Sequence, residues 1–197
     1  MSHAGEASSR DRILQKAMEL FAERGYEATS VREICEAAGL TKPTLYHFFG
    51  SKEGVFRALV EGSLAELSAE LGETLSGPGP TRERLGRFAR LYFERTRARR
   101  PLMRLIFSLV HNPPAAGRPI DCTAYYDATA GRLATALAQG VDAGELQPGP
   151  VEPRLLVFMG ALAESLAGNL IAGRPELTPE LADALVDTVL DGWTPKR

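Results

Sequence analysis

Lys42, Thr44, Tyr46 and His47 stand within six residues of one another in the stretch LTKPTLYHFFGSKEGVF, residues 40–56. An ammonium, a hydroxyl, a phenol and an imidazole can donate and accept hydrogen bonds from one short surface. Nothing beside them completes a nucleophile and base pair. Elsewhere the chain offers no phosphate-cradling glycine loop and no carboxylate–histidine metal set, so the expected class is not an enzyme, with no cofactor and no metal. His3, His47 and His111 are scattered, and Cys35 and Cys122 are too few for a disulfide framework or a zinc site. Both cysteines are expected as reduced thiols.

The elements that carry these residues are helices. Apolar residues recur at three- and four-residue spacing almost throughout, and no run alternates with period two. The fold class is therefore all-α, with about nine helices. The first helix is predicted over Arg10–Arg24, with Ile13, Ala17 and Phe21 on one face and Gly25 as its stop. SVRE at Ser30–Glu33 is a capping box that opens a second helix, ended by Gly39. Thr41 caps a third, with Pro43 in its first turn, and Ser51 caps a fourth that carries an apolar stripe from Val55 to Leu71. Two short helices joined by AAGLT make a helix-turn-helix, whose second helix can enter a DNA major groove about 12 Å wide. Leu45, Phe48 and Phe49 have the spacing to pack behind that helix. Lys42, Thr44, Tyr46 and His47 are left for the duplex.

The run ATSVREICEAAGLTKPTLYHFFGSKEGVF resembles the DNA-binding signature of the tetracycline-repressor (TetR) family, strongly over residues 10–57. The later GVDAGELQPGP is similar to a connector frequent in that family. The resemblance implies that Lys42, Pro43, Thr44 and Tyr46 face base edges and nearby backbone. It places Thr29, Ser30, Thr41, Tyr46, His47 and Lys52 near phosphates. Proline at position 43 departs from the small residue common there, which removes a donor and adds bulk suited to a thymine methyl.

The expected organisation is a flexible arm over 1–9, the DNA-binding domain over 10–51, a connecting helix over 52–75 and a ligand-binding and dimerisation domain over 81–197. SGPGP at 76–80 is read as the boundary. Further helices are predicted over 81–99, 101–111, 121–143, 152–172 and 179–192. From Arg82 to Arg104 there are nine arginines against two glutamates, whereas from Leu105 onward six basic residues face eleven acidic ones. The default for the arginine run is a solvated face, with added attraction for DNA from Arg97, Arg99, Arg100 and Arg104 as the sharper reading.

Leu155, Leu162, Leu166, Leu181, Leu185, Val189 and Trp193 are expected at a four-helix homodimer interface formed by the last two helices of each chain. Tyr92, Phe93, Met103, Phe107, His111, Tyr125, Tyr126, Phe158, Met159 and Asn169 are the candidates for a small-molecule pocket. The start of the chain lacks a basic, then apolar, secretory pattern, and the apolar run Leu155–Ile171 is interrupted and short for a bilayer. A cytoplasmic protein without a membrane span is expected. The implied function is a ligand-responsive transcriptional regulator, a repressor before an activator, binding a palindromic operator as a dimer. A protein-interaction module that has lost DNA binding is the alternative.

Overall fold

The computed structural model describes residues 3–111 and 123–192, and among these it contains helices and no strands. The helices are α1 (His3–Arg24), α2 (Val31–Ala38), α3 (Lys42–Phe49), α4 (Lys52–Ser76), α5 (Thr81–Ala98), α6 (Arg100–His111), α7 (Thr123–Asp142), α8 (Val151–Ala172) and α9 (Pro179–Asp191). Helix α1 begins at His3, so most of the arm expected over 1–9 is helical. That stretch is small and polar but holds no proline, and small polar residues do not by themselves stop a helix.

The chain divides into two units, residues 1–64 with 101–122 and residues 65–100 with 123–197. In the first, Ile13, Ala17 and Phe21 of α1, Ile34 of α2, Leu45 of α3 and Val55 and Phe56 of α4 are buried. Phe21, Tyr26 and Phe56 form a triangle of rings with centroids 4.7–5.5 Å apart. Tilted and edge-on contacts at that distance add to the area the rings bury. In the second, Leu71, Leu85, Phe93, Leu133, Leu137, Phe158, Leu177 and Val186 are buried, and α5 packs against α9, α7 and α8.

The boundary differs from the one expected at SGPGP. That segment is a turn inside the second unit, where Arg87 donates to the Pro78 carbonyl at 2.7 Å. The division falls within α4 instead, and α6 belongs almost wholly to the first unit. The first half of α4 brings Val55 and Phe56 to the α1 aromatics, and a continuous helix carries no sequence mark of that change of partner.

A capping arrangement the sequence did not suggest starts α5. Pro80 is its N-cap and offers no side-chain acceptor; Glu145, from the α7–α8 connector, accepts the Thr81 N–H at 2.5 Å. A carboxylate suits the positive end of a helix, and its own titration is pushed down by hydrogen bonds from Thr81. The connector noted in the sequence thus closes the end of a helix 64 residues away.

Candidate nucleic-acid interface

Helix α2 is fixed at both ends. Ser30 accepts the Glu33 N–H at 3.2 Å while its own N–H reaches Glu33 Oε2 at 2.8 Å, which is the capping box predicted from SVRE. At the other end Arg12 of α1 donates to the Ala38 carbonyl at 2.6 Å and 3.2 Å and to the Gly39 carbonyl at 3.2 Å. Gly39 sits at φ 62°, the left-handed conformation that turns the chain sharply toward α3. Sequence reasoning passed over Arg12. A cation whose partners are carbonyls 26 residues away leaves no periodic trace.

Helix α3 separates its faces. Leu45 is 0% exposed, whereas Tyr46 is 48% exposed, and Lys42, Pro43 and His47 also face outward. Thr41 caps the helix by accepting the Thr44 N–H at 3.4 Å, and the two hydroxyls lie 2.9 Å apart. Phe48 and Phe49 are half-buried; the Arg10 guanidinium lies 5.5 Å from the Phe49 ring centre and the His47 ring 5.3 Å from that of Phe48. The back of α3 is therefore held by Leu45, with the two phenylalanines closing its margins. An ammonium, an apolar proline and a phenol are presented on the outside.

Of the residues expected near phosphates, Thr29 and Lys52 are turned to the protein, and exposed Ser30 is engaged by its own helix. Thr29 is buried and its hydroxyl donates to the Gly25 carbonyl at 2.8 Å, tying the α1–α2 turn. The Ser30 hydroxyl donates to Glu33 Oε2 at 2.7 Å while accepting the Glu33 N–H. Lys52 donates to the carbonyls of Tyr26 at 2.9 Å and Thr29 at 3.0 Å, and its ammonium lies 4.3 Å from the centre of the Tyr26 ring. The reason is common to all three: carbonyls and a carboxylate within the domain satisfy these groups without a partner. Buried Cys35 is a free thiol, with burial pushing its titration upward, and Cys122 lies outside the described residues.

In the second unit Tyr92 stacks nearly parallel to Phe88 at 6.5 Å, and Phe158 lies 6.1 Å from Phe88. Desolvation, with the neighbouring Tyr125 adding to it, pushes Tyr92 well above the usual phenol range. Phe93 and Phe158 are buried, Tyr125 and Met159 are half-buried, and Tyr126 is exposed. One turn beyond Tyr125, the Thr129 hydroxyl is buried without a hydrogen-bond partner among the described residues. Asn169 is buried, but its amide already donates to the Pro175 carbonyl at 2.9 Å. Met103 is buried and Phe107 half-buried in the first unit; the His111 side chain is outside the described residues.

Leu162 and Leu166, expected at a dimer interface, are buried within the single chain. Leu155, Leu181, Leu185 and Val189 are half-buried, and Trp193 lies outside the described residues. The apolar groups left outward on α8 are Leu156 at 57%, Val157 at 54% and Ile171 at 75% exposure, alongside exposed Gly160 and Ala163. At 22 residues α8 is about 33 Å long, so it has the length and composition to cross a bilayer, contrary to the shorter span read from sequence. Its inner face buries Arg154, Ser165 and Asn169 and packs on α7 and α9.

Residues 13–59 match the family described as bacterial regulatory proteins, tetR family. The HTH-type transcriptional repressor ComR of Escherichia coli (strain K12) is 48% identical over 61 residues, 31% of this chain and 29% of that protein. The chain thus spans less than a third of that relative's length in the match. Over the whole fold, PfmR, a TetR family transcriptional regulator from Thermus thermophilus, is 29% identical with a TM-score of 0.72, covering 94% of this chain and 100% of that one. FadR from Bacillus subtilis, solved in complex with stearoyl-CoA, is 20% identical with a TM-score of 0.78, covering 92% and 97%, a likeness of fold. The helix-turn-helix thus matches the tetR family of bacterial regulatory proteins by sequence, and the remaining helices are similar to those of solved regulators of that family.

Proposed function

We propose that this protein is a transcriptional repressor that binds a near-palindromic DNA operator as a homodimer, one α3 to each half-site. A small, largely apolar effector would release it. The observation that carries the reading is the division of α3 between fully buried Leu45 and outward Lys42, Pro43, Tyr46 and His47. Lys42 donates to guanine O6 and N7, Pro43 meets a thymine methyl, and Thr44 and Tyr46 reach base edges and nearby backbone. Thr41 at the N-terminus of α3 and His47 serve phosphates.

Two recognition helices must stand about one DNA turn, roughly 34 Å, apart, which requires a second copy of the chain. The outward apolar stripe of α8 supports that pairing, with Leu156, Val157 and Ile171 as its contacts in place of Leu162 and Leu166. For the effector, the aromatic group of Tyr92, Phe93 and Phe158 in the second unit supports an apolar ligand, and the Thr129 hydroxyl, unpaired among the described residues, offers one polar anchor. Release requires that the effector bind the DNA-incompetent state more tightly than the competent one.

Selection of duplexes from a random-sequence pool tests the reading. The wild-type chain is expected to enrich a near-palindrome, and Tyr46→Ala and Lys42→Gln to lose affinity for it while melting within a few degrees of wild type, as surface changes do. A wild-type chain that enriches no sequence overturns it.

A further inference from the structure

Lys52 is the first residue of α4, where the helix dipole disfavours a cation. What holds it there is the α1–α2 turn: the carbonyls of Tyr26 and Thr29 converge on the ammonium, and the Tyr26 ring lies 4.3 Å from it. The turn is itself tied to α1 by Thr29, and it leads directly into the Ser30 cap of α2. Tyr26 is half-buried between Phe21 and Phe56, so it offers the ammonium a rigid carbonyl and ring. We infer that Lys52 is a positioning residue for operator binding: it fixes the start of α2, and through it α3, against α4 without touching a phosphate. The inference rests on the DNA-binding reading above, but the strut itself is present without DNA. Two of the three ammonium donors are committed to these carbonyls, and only one N–H is left for any other acceptor while the seat stays intact.

Lys52→Met keeps the aliphatic stem over Tyr26 and removes the charge. Without DNA, amide hydrogen exchange over residues 26–30 is expected to quicken about tenfold, since the turn opens locally. Affinity for the duplex enriched by the wild-type chain is expected to fall about tenfold. The slope of log affinity against log salt should not change. Lys42→Gln is the contrast: exchange as in wild type, with affinity and the preference at its base pair lost. A Lys52→Met chain with wild-type exchange and a slope shallower by about 0.9 overturns the inference, because Lys52 was then a phosphate contact.

Should Lys52→Met not fold, Lys52→Arg decides. A guanidinium can serve a phosphate but does not fit the two-carbonyl seat of an ammonium, so faster exchange with weakened binding supports the strut. Full affinity with a loosened turn overturns it. If the wild-type chain enriches no duplex, the functional reading fails, and the exchange comparison alone supports or overturns the strut.

Discussion

Arg82 on α5 donates to Asp191 on α9 at 2.7 Å, and its other terminal nitrogen holds Asp187, one turn earlier on the same helix. Arg90 pairs with Asp183 in the next step, so α5 and α9 are joined by a ladder of ion pairs. Toward α4, Arg95 meets Glu70 at 2.5 Å and Arg99 meets Glu66 at 2.8 Å. Arg82 and Arg90 of the basic run thus find their partners in the acidic C-terminal part of the sequence, and Arg95 and Arg99 find theirs in α4. Arg99 and Arg100, offered as attraction for DNA, are occupied by Glu66 and by the Asn169 carbonyl.

Because the ladder is exposed, its contribution is small. Arg82→Ala is expected to cost less than about 1 kcal/mol at low salt and nearly nothing in about 1 M salt. Urea melts of the single and double variants with Asp191→Asn, at both salt concentrations, measure it.

Glu145 should govern part of the acid limb of stability. Its carboxyl is held below the ordinary 4.5 by hydrogen bonds from Thr81, so the stabilisation is complete above that value and is lost as pH falls through the folded value. Glu66, held down by Arg99, has the same sign. In Glu145→Gln the fall in stability from about pH 7 to about pH 3 is expected to be shallower than in wild type, as read by denaturant melts at each pH.

Leu45→Ala and Tyr46→Ala separate folding from recognition. Leu45 is wholly buried, so its truncation is expected to cost about 2–5 kcal/mol. Tyr46, outward on the same helix, is expected to cost less than about 1 kcal/mol and to lose DNA affinity instead. Thermal melts and fluorescence binding to the selected duplex, done side by side, distinguish them.

Two glycines of α4 should respond with opposite signs. A Cβ at Gly54 would fall on the Phe49 carbonyl oxygen, whereas nothing lies within 4 Å of one at Gly62. Gly62→Ala is expected to stabilise by about 0.5–1 kcal/mol through helix propensity. Gly54→Ala must push α3 away from the start of α4 and should destabilise by more than about 1 kcal/mol. Calorimetric melting of both reads the signs.

Leu156→Arg with Ile171→Arg should break the pairing of chains. Like charges replacing outward apolar groups near both ends of α8 are expected to convert a dimer to a monomer in sedimentation while leaving helix content unchanged. A wild-type chain that sediments as a monomer while binding the palindrome would refute the pairing.

The first four helices could be read from the sequence because their signals are local. Ser30 and Glu33 three residues apart, Gly39 at a positive φ, Thr41 before Pro43, and Leu45 between polar neighbours each act within one or two turns. Such spacings determine which residues cap, turn and bury, and with them the outward side of α3. The fates of the charges were settled only by tertiary structure: Lys52 meets carbonyls 26 and 23 residues away, Thr81 a carboxylate 64 away, Arg82 an aspartate 109 away. So were the division within α4 and the face of α8 left outward, since Leu162 and Leu156 look alike in composition and only packing tells them apart. A cation's partner is chosen by proximity in space, and periodicity along a helix records which side faces a core without recording which core, or which chain, will cover the rest.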